Sequence, residues 1–118
     1  MTAYQPGLHI VAEIDNAPEH RLLGAEAFRE FMNKNITEFG LSKLGEVYHD
    51  FPGGGYTAVV CLSESHLSVH TWPEYGRVTY DVFLSNYQKN NDHITRELSQ
   101  RIQTFFGAEA SSSREVSR

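Results

Sequence analysis

The spacing of apolar residues changes twice along this chain, and each change restricts the fold more than any single residue does. From Leu8 to Ile14 the pattern alternates, with Leu8, Ile10, Ala12 and Ile14 on one face and His9, Val11 and Glu13 on the other. That is the period of a half-buried strand. Asp15-Asn16-Ala17-Pro18 then offers a side-chain acceptor for free N–H groups and a proline whose fixed φ suits a first helical turn, which predicts a helix start here. Beyond it Leu22, Ala25, Phe28, Met32, Ile36 and Phe39 recur at steps of three and four, forming one stripe of a long amphipathic helix. Gly40 is a natural stop. A one-sided strand and a one-sided helix must each bury their apolar side, and they do so against each other.

The period returns to two between Leu41 and Asp50, where Leu44, Glu46 and Tyr48 oppose Lys43, Val47 and His49. Phe51-Pro52-Gly53-Gly54-Gly55 interrupts it, and Tyr56-Thr57-Ala58-Val59-Val60-Cys61-Leu62 follows as a buried β-branched strand, so the pair reads as a hairpin. The three glycines lack the Lys-Ser/Thr of a phosphate-cradling loop and are expected to form a turn. Arg77 to Leu84 alternates once more, with Val78, Tyr80, Val82 and Leu84 on one side. A polar loop, Ser85 to Asp92, ends in good N-cap residues, and Ile94, Leu98, Ile102 and Phe105 define a second helix stopped by Gly107. The Ser-rich remainder, Ala108 to Arg118, reads as an edge strand or a loose tail.

This order predicts one domain over residues 1–118, an α+β two-layer sandwich with two helices on one face of a mainly antiparallel sheet. The opposite sheet face then needs a cover, and packing face to face in a homodimer (αββα) supplies one. At 118 residues the chain is long enough to bury a core without disulfides, and its one cysteine, Cys61, excludes an internal bridge and a multi-thiolate metal site. The apolar neighbours of Cys61 predict a buried core thiol. Net charge of -5 disfavours a nucleic-acid or anionic-membrane partner and suits a small cationic amine substrate. No apolar run is long enough to span a bilayer, and Met1 to Pro6 lacks the features of a signal peptide, so the expected compartment is the cytoplasm.

The chemistry is concentrated between Leu62 and Gly76. His66 and His70 are four apart, the spacing of two zinc ligands on a helix, but Val69, Thr71, Trp72 and Pro73 favour an extended segment and no Glu follows the first His, so no metal is predicted. Ser65 with either histidine would suit a hydrolase, yet there is no G-x-S-x-G elbow. By composition alone these are polar residues on a solvated strand face.

The string Leu62-Ser63-Glu64-Ser65-His66-Leu67-Ser68-Val69-His70-Thr71-Trp72-Pro73-Glu74-Tyr75-Gly76 closely resembles the signature of the bacterial and archaeal S-adenosylmethionine decarboxylases, the short pyruvoyl-dependent enzymes of spermidine and polyamine biosynthesis. The resemblance extends more weakly to Gly7-Leu8-His9-Ile10-Val11-Ala12-Glu13 and to Tyr80-Asp81-Val82-Phe83. It implies a zymogen that cleaves itself between Glu64 and Ser65. The Ser65 hydroxyl attacks the Glu64 carbonyl, the resulting ester eliminates, and hydrolysis leaves a pyruvoyl group at residue 65. That ketone forms a Schiff base with the substrate amine and accepts the electrons freed as CO2 leaves. By the same resemblance His70 moves protons during processing, Thr57 stands where the family usually has a serine that assists it, Phe51 stacks on adenine, and Glu74 accepts hydrogen bonds from the ribose hydroxyls.

One position departs. Where the family has a cysteine that returns a proton to the substrate, in a context like Thr-Cys-Gly, this chain reads Leu84-Ser85-Asn86. A thiol of pKa near ~8.5 donates at neutral pH far more readily than a serine hydroxyl. Three readings stay open on the sequence: decarboxylation of S-adenosylmethionine with another donor, a changed substrate such as arginine or ornithine, and a non-catalytic paralogue.

Overall fold

Apart from the run through Leu44 and Tyr48, where Leu44 stays exposed, each alternating run becomes a strand whose apolar side faces the helices. The computed structural model describes residues 3–107 and 110–118. In chain order it comprises β1 (Leu8–Asp15), a 3-10 turn (Glu19–Arg21), α1 (Glu26–Glu38), β2 (Lys43–Asp50), β3 (Tyr56–Leu62), β4 (Ser65–Trp72), a second 3-10 turn (Pro73–Tyr75), β5 (Arg77–Leu84), α2 (Asp92–Phe105) and β6 (Ala110–Ser117). The strands form one sheet in the order β2-β3-β4-β5-β1-β6, antiparallel at every junction. This is the α+β two-layer arrangement expected, and the Ser-rich end is an edge strand on β1. Ala108 and Glu109 of that end, like Met1 and Thr2, lie outside the described residues.

Register ties the layers together. Tyr48, Ala58, Val69, Tyr80 and Ala12 stand opposite one another in sequence across five strands and present one row to the helices. Phe28, Met32 and Ile36 of α1 and Ile94, Leu98 and Ile102 of α2 close over such rows in a continuous core. The two helices meet through aromatic rings, with Phe28 stacked on Phe106 at 5.8 Å and Phe31 4.8 Å from Phe105.

Three expectations needed correction. The first helix begins at Glu26, not at Pro18. Its would-be first turns are diverted: the carbonyl of Leu22 accepts from Thr71 Oγ1 (2.8 Å), that of Leu23 from the Gly55 N–H (3.1 Å) and that of Arg21 from the Tyr56 hydroxyl (3.2 Å). These bonds turn the carbonyls of Arg21, Leu22 and Leu23 toward Tyr56, Thr71 and Gly55 instead of along a helix axis, and α1 starts where Asp50 Oδ1 takes the Ala25 N–H at 2.9 Å. Cys61 is exposed rather than buried, because the pleat of β3 turns it away from the helices. Asn91, placed as the N-cap of α2, makes no side-chain cap bond.

The face away from the helices carries its own polar network. In one row His9, Phe83, His66 and Cys61 stand opposite each other on β1, β5, β4 and β3. From the next row Asp81 accepts from His9 Nε2 and His66 Nε2, both at 2.7 Å, and from the Ser68 hydroxyl. Burial on its own would raise the Asp81 pKa, but the hydrogen bonds from Ser68, His9 and His66 outweigh it and hold the carboxyl below its ordinary value. A carboxyl whose folded pKa is depressed contributes stability that is present above its unfolded pKa and is lost as pH falls through the folded value. Asp81→Asn is therefore expected to lower stability by about 1–3 kcal/mol at neutral pH. Urea unfolding at a series of pH values should show that gap closing below the ordinary carboxylate range, and a gap independent of pH would contradict this account.

Candidate active site

Local backbone geometry already singles out one peptide bond. Ser63 and Glu64 form the two-residue turn between β3 and β4. Two-residue hairpin loops match strand twist when their central residues take positive φ, which favours Gly, Asn and Asp. Neither Ser63 nor Glu64 does so; the positive φ falls on the next residue, Ser65, at 148°. That region belongs to glycine, and an L-residue held there stores about 1–3 kcal/mol. The strain adjoins the Glu64–Ser65 bond.

The carbonyl of that bond is also polarised. Glu64 O accepts the main-chain N–H of Ser85 at 2.7 Å, a donor distance suited to an oxyanion. Ser85 is placed here because β5 pairs with β4 up to Ser65↔Leu84, so the first residue past β5 lies beside the turn. Ser63, Glu64, Ser85, Tyr87, Lys89 and Asn91 are among the residues lining a cleft of about 500 Å³. Ser65, the Glu64 carbonyl and Ser85, which the resemblance casts as nucleophile, scissile carbonyl and proton-donor position, thus lie together at one end of β4.

A second group gathers at the other end. Thr57 and His70 are register partners on β3 and β4, with Thr57 Oγ1 3.0 Å from His70 Nδ1. They line a cleft of about 300 Å³ with Phe51, Gly55, Trp72 and Glu74. The three glycines form a turn, as expected; at Gly55, with φ of 98°, a Cβ would press within 3.3 Å of the Thr71 carbonyl oxygen. Phe51 is half exposed and makes a T-shaped contact with His49 at 4.7 Å. Glu74 is exposed in the turn after β4.

The sequence-predicted residues therefore form two sets. Ser65 and His70 lie five positions apart on β4, roughly 16 Å of extended chain. One chain does not bring His70 to Ser65.

Sequence reasoning passed over the His9-Asp81-His66 cluster, whose ligand atoms lie within 4.8 Å of one another. It does not suit a metal ion. The Arg118 guanidinium, which can only donate, sits 3.2 Å from His9 Nδ1, so Nε2 carries the proton and gives it to Asp81 instead of offering a lone pair. Alternation on β1, β4 and β5 could have revealed that these residues share a face; their contact needed the strand order.

Comparison with known proteins agrees with this fold. The family model described as S-adenosylmethionine decarboxylase matches residues 8–118. An S-adenosylmethionine decarboxylase proenzyme of Archaeoglobus fulgidus is 40% identical over 77 residues, 65% of this chain and 69% of that protein. One from Pelotomaculum thermopropionicum is 36% identical over 112 residues, 95% of this chain and 86% of its own. The crystal structure of the adenosylmethionine decarboxylase from Aquifex aeolicus superposes with a TM-score of 0.85 at 28% identity, covering 98% of this chain and 92% of that one. With the family model spanning both ends of β4 and the whole sheet, the chain belongs to the S-adenosylmethionine decarboxylase family.

Proposed function

We propose that the protein is a self-processing, pyruvoyl-dependent decarboxylase of S-adenosylmethionine, serving spermidine biosynthesis. The observation that carries this reading is the strained Glu64–Ser65 peptide with the Ser85 N–H on its carbonyl. Attack by Ser65 Oγ on the Glu64 carbonyl carbon puts negative charge on the oxygen that already faces this donor, and it relieves the strained φ. As the C–N bond breaks, the hydroxyl proton passes to the Ser65 nitrogen and an ester remains. Loss of the Ser65 α-proton then expels Glu64 as a carboxylate from Cβ; addition of water and release of ammonia leave the pyruvoyl group at residue 65. A serine is suited to this because it provides both nucleophile and leaving group. The donor is main-chain, so position 85 contributes to cleavage through its backbone. When formed, the group supplies a ketone that draws off the electron pair released with CO2.

His70 has a place in this scheme if two copies pack sheet to sheet. Val47, Val59, Trp72 and Val116 are exposed apolar residues on the face away from the helices, spread over β2, β3, β4 and β6. A twofold axis between the sheets and perpendicular to β4, passing between Leu67 and Ser68, lays β4 over the reversed β4 of a second copy about 10 Å away. Each Ser65 then meets His70 and Thr57 of the other copy. The same operation brings Phe51 and Glu74 of one copy, suited to a planar base and a ribose diol, to the reacting residue of the other. Phe51 with Glu74 favours a nucleoside-bearing cation over arginine or ornithine, which have no base to stack. The excess of acidic residues suits a cationic substrate in the same way.

Three outcomes are expected. Intact mass of purified wild-type protein should show chains of residues 1–64 and 65–118, the latter ending in pyruvoyl, and CO2 release should be seen with S-adenosylmethionine and not with arginine or ornithine; Ser65→Ala should abolish both, whereas a single uncleaved 118-residue species after long incubation would sink the proposal. Ser85→Cys should raise CO2 release by restoring a thiol of pKa near ~8.5 as acid; an unchanged rate assigns proton return to another group. Neither Ser65→Ala nor His70→Ala should cleave alone, but their co-expression should yield cleavage of the His70→Ala chain, and full cleavage of His70→Ala by itself would remove the shared site.

A further inference from the structure

The donor aimed at the scissile carbonyl sits at the start of a loop, so something must hold it. The first clamp is the N-terminal segment: a Cβ added to Gly7 would lie 2.5 Å from Leu84 O and 3.1 Å from Ser85 Cα, which shows how closely that backbone covers the 84–85 peptide. The second is a pair of buried carboxamides. Asn86 Oδ1 accepts the Asn91 N–H at 2.6 Å, while Asn86 Nδ2 donates to Pro6 O and to Asp92 Oδ1, both at 2.9 Å. Asn91 Nδ2 donates to Ser85 O at 2.8 Å. Ser85 is thus held through both of its peptide groups, by Glu64 on one side and Asn91 on the other.

Helix capping does not account for Asn91. An asparagine at an N-cap ordinarily spends its side-chain oxygen on an N–H of the first turn. Here no such bond is made, and among the described residues Asn91 Oδ1 is buried without a partner, in a residue only 3% exposed. A buried unpartnered acceptor costs about 1–3 kcal/mol. The side chain is turned so that its donor, not its acceptor, is used, and the group it serves is the residue that polarises the Glu64 carbonyl.

We propose that Asn91 is a positioning residue for self-cleavage: its carboxamide holds Ser85 so that the Ser85 N–H stays on the Glu64 carbonyl oxygen. This rests on the self-cleavage reading above. The test compares Asn91→Ala with Asn91→Asp, because Asp is as good an N-cap as Asn but as a carboxylate cannot donate to Ser85 O. First-order cleavage rates are read by intact mass across a pH series, with thermal melting of each precursor, made uncleavable by Ser65→Ala, as the control on folding. Both variants should cleave at least about tenfold more slowly than wild type at neutral pH, the scale expected when an oxyanion donor is mispositioned. The ratio of Asn91→Asp to wild type should recover as pH falls into the carboxylate range, where a protonated carboxyl regains a donor, while that of Asn91→Ala stays flat. Folded variants cleaving at the wild-type rate, or an Asp variant that matches wild type at neutral pH, would overturn the positioning role and leave self-cleavage standing. A wild-type chain that never cleaves overturns both.

Discussion

β4 is paired on both edges from Ser65 to His70, to β3 and to β5, and its pleat therefore cannot slip without turning every side chain to the wrong layer. Leu67, Val69 and Thr71 are locked into the core by that constraint, and His66, Ser68, His70 and Trp72 are locked onto the opposite face. The chemistry depends on this. A histidine on a central strand is as rigidly placed as a core leucine, and the two ends of the strand become two fixed stations, one with Ser65 and one with His70.

Rigidity also explains where the strain sits. The core residues on either side set the register of β3 and β4, and the connecting turn has only Ser63 and Glu64 with which to close. With neither residue at positive φ, the mismatch passes to Ser65, the first residue of β4. The energy stored there comes from the packing of the sheet, and the main-chain donor from Ser85 is supplied by the same sheet through the β4-β5 register. Site and scaffold share one origin.

The open face has a different character. His9, Asp81, His66 and Ser68 form a hydrogen-bonded patch, flanked by exposed valines and Trp72. Such a face can be wetted at the polar centre and covered at the apolar rim, a combination suited to a second sheet of the same kind. In the proposed pairing of two copies, the two stations of β4 would be complementary, with Ser65 of one copy over His70 of the other.

The repeating spacings of the sequence were enough to determine the layers. Leu8, Ile10, Ala12 and Ile14, the Val78-to-Leu84 alternation, and the stripes through Phe28 and Leu98 each face where their period says, because burial of one face is decided locally by geometry common to all strands and helices. The string from Glu64 to Gly76 likewise carried the family resemblance, which the match of the family model to residues 8–118 bears out. Long-range hydrogen bonds decided the rest. The start of α1 follows from Asp50, Thr71 and Gly55, residues distant in sequence, and the exposure of Cys61 follows from the phase of a strand whose neighbours are apolar on both sides. The Asp81 bridge and the Asn91 clamp on Ser85 each join residues that share no spacing rule. Strand order brings His9 and His66 to Asp81, and the path of the loop between β5 and α2 brings Asn91 back to Ser85; no local pattern encodes either. For the same reason a linear string could place Ser65 and His70 side by side in function while the fold holds them at opposite ends of a strand: an extended chain adds about 3.3 Å per residue, and only tertiary structure says that this one stays extended.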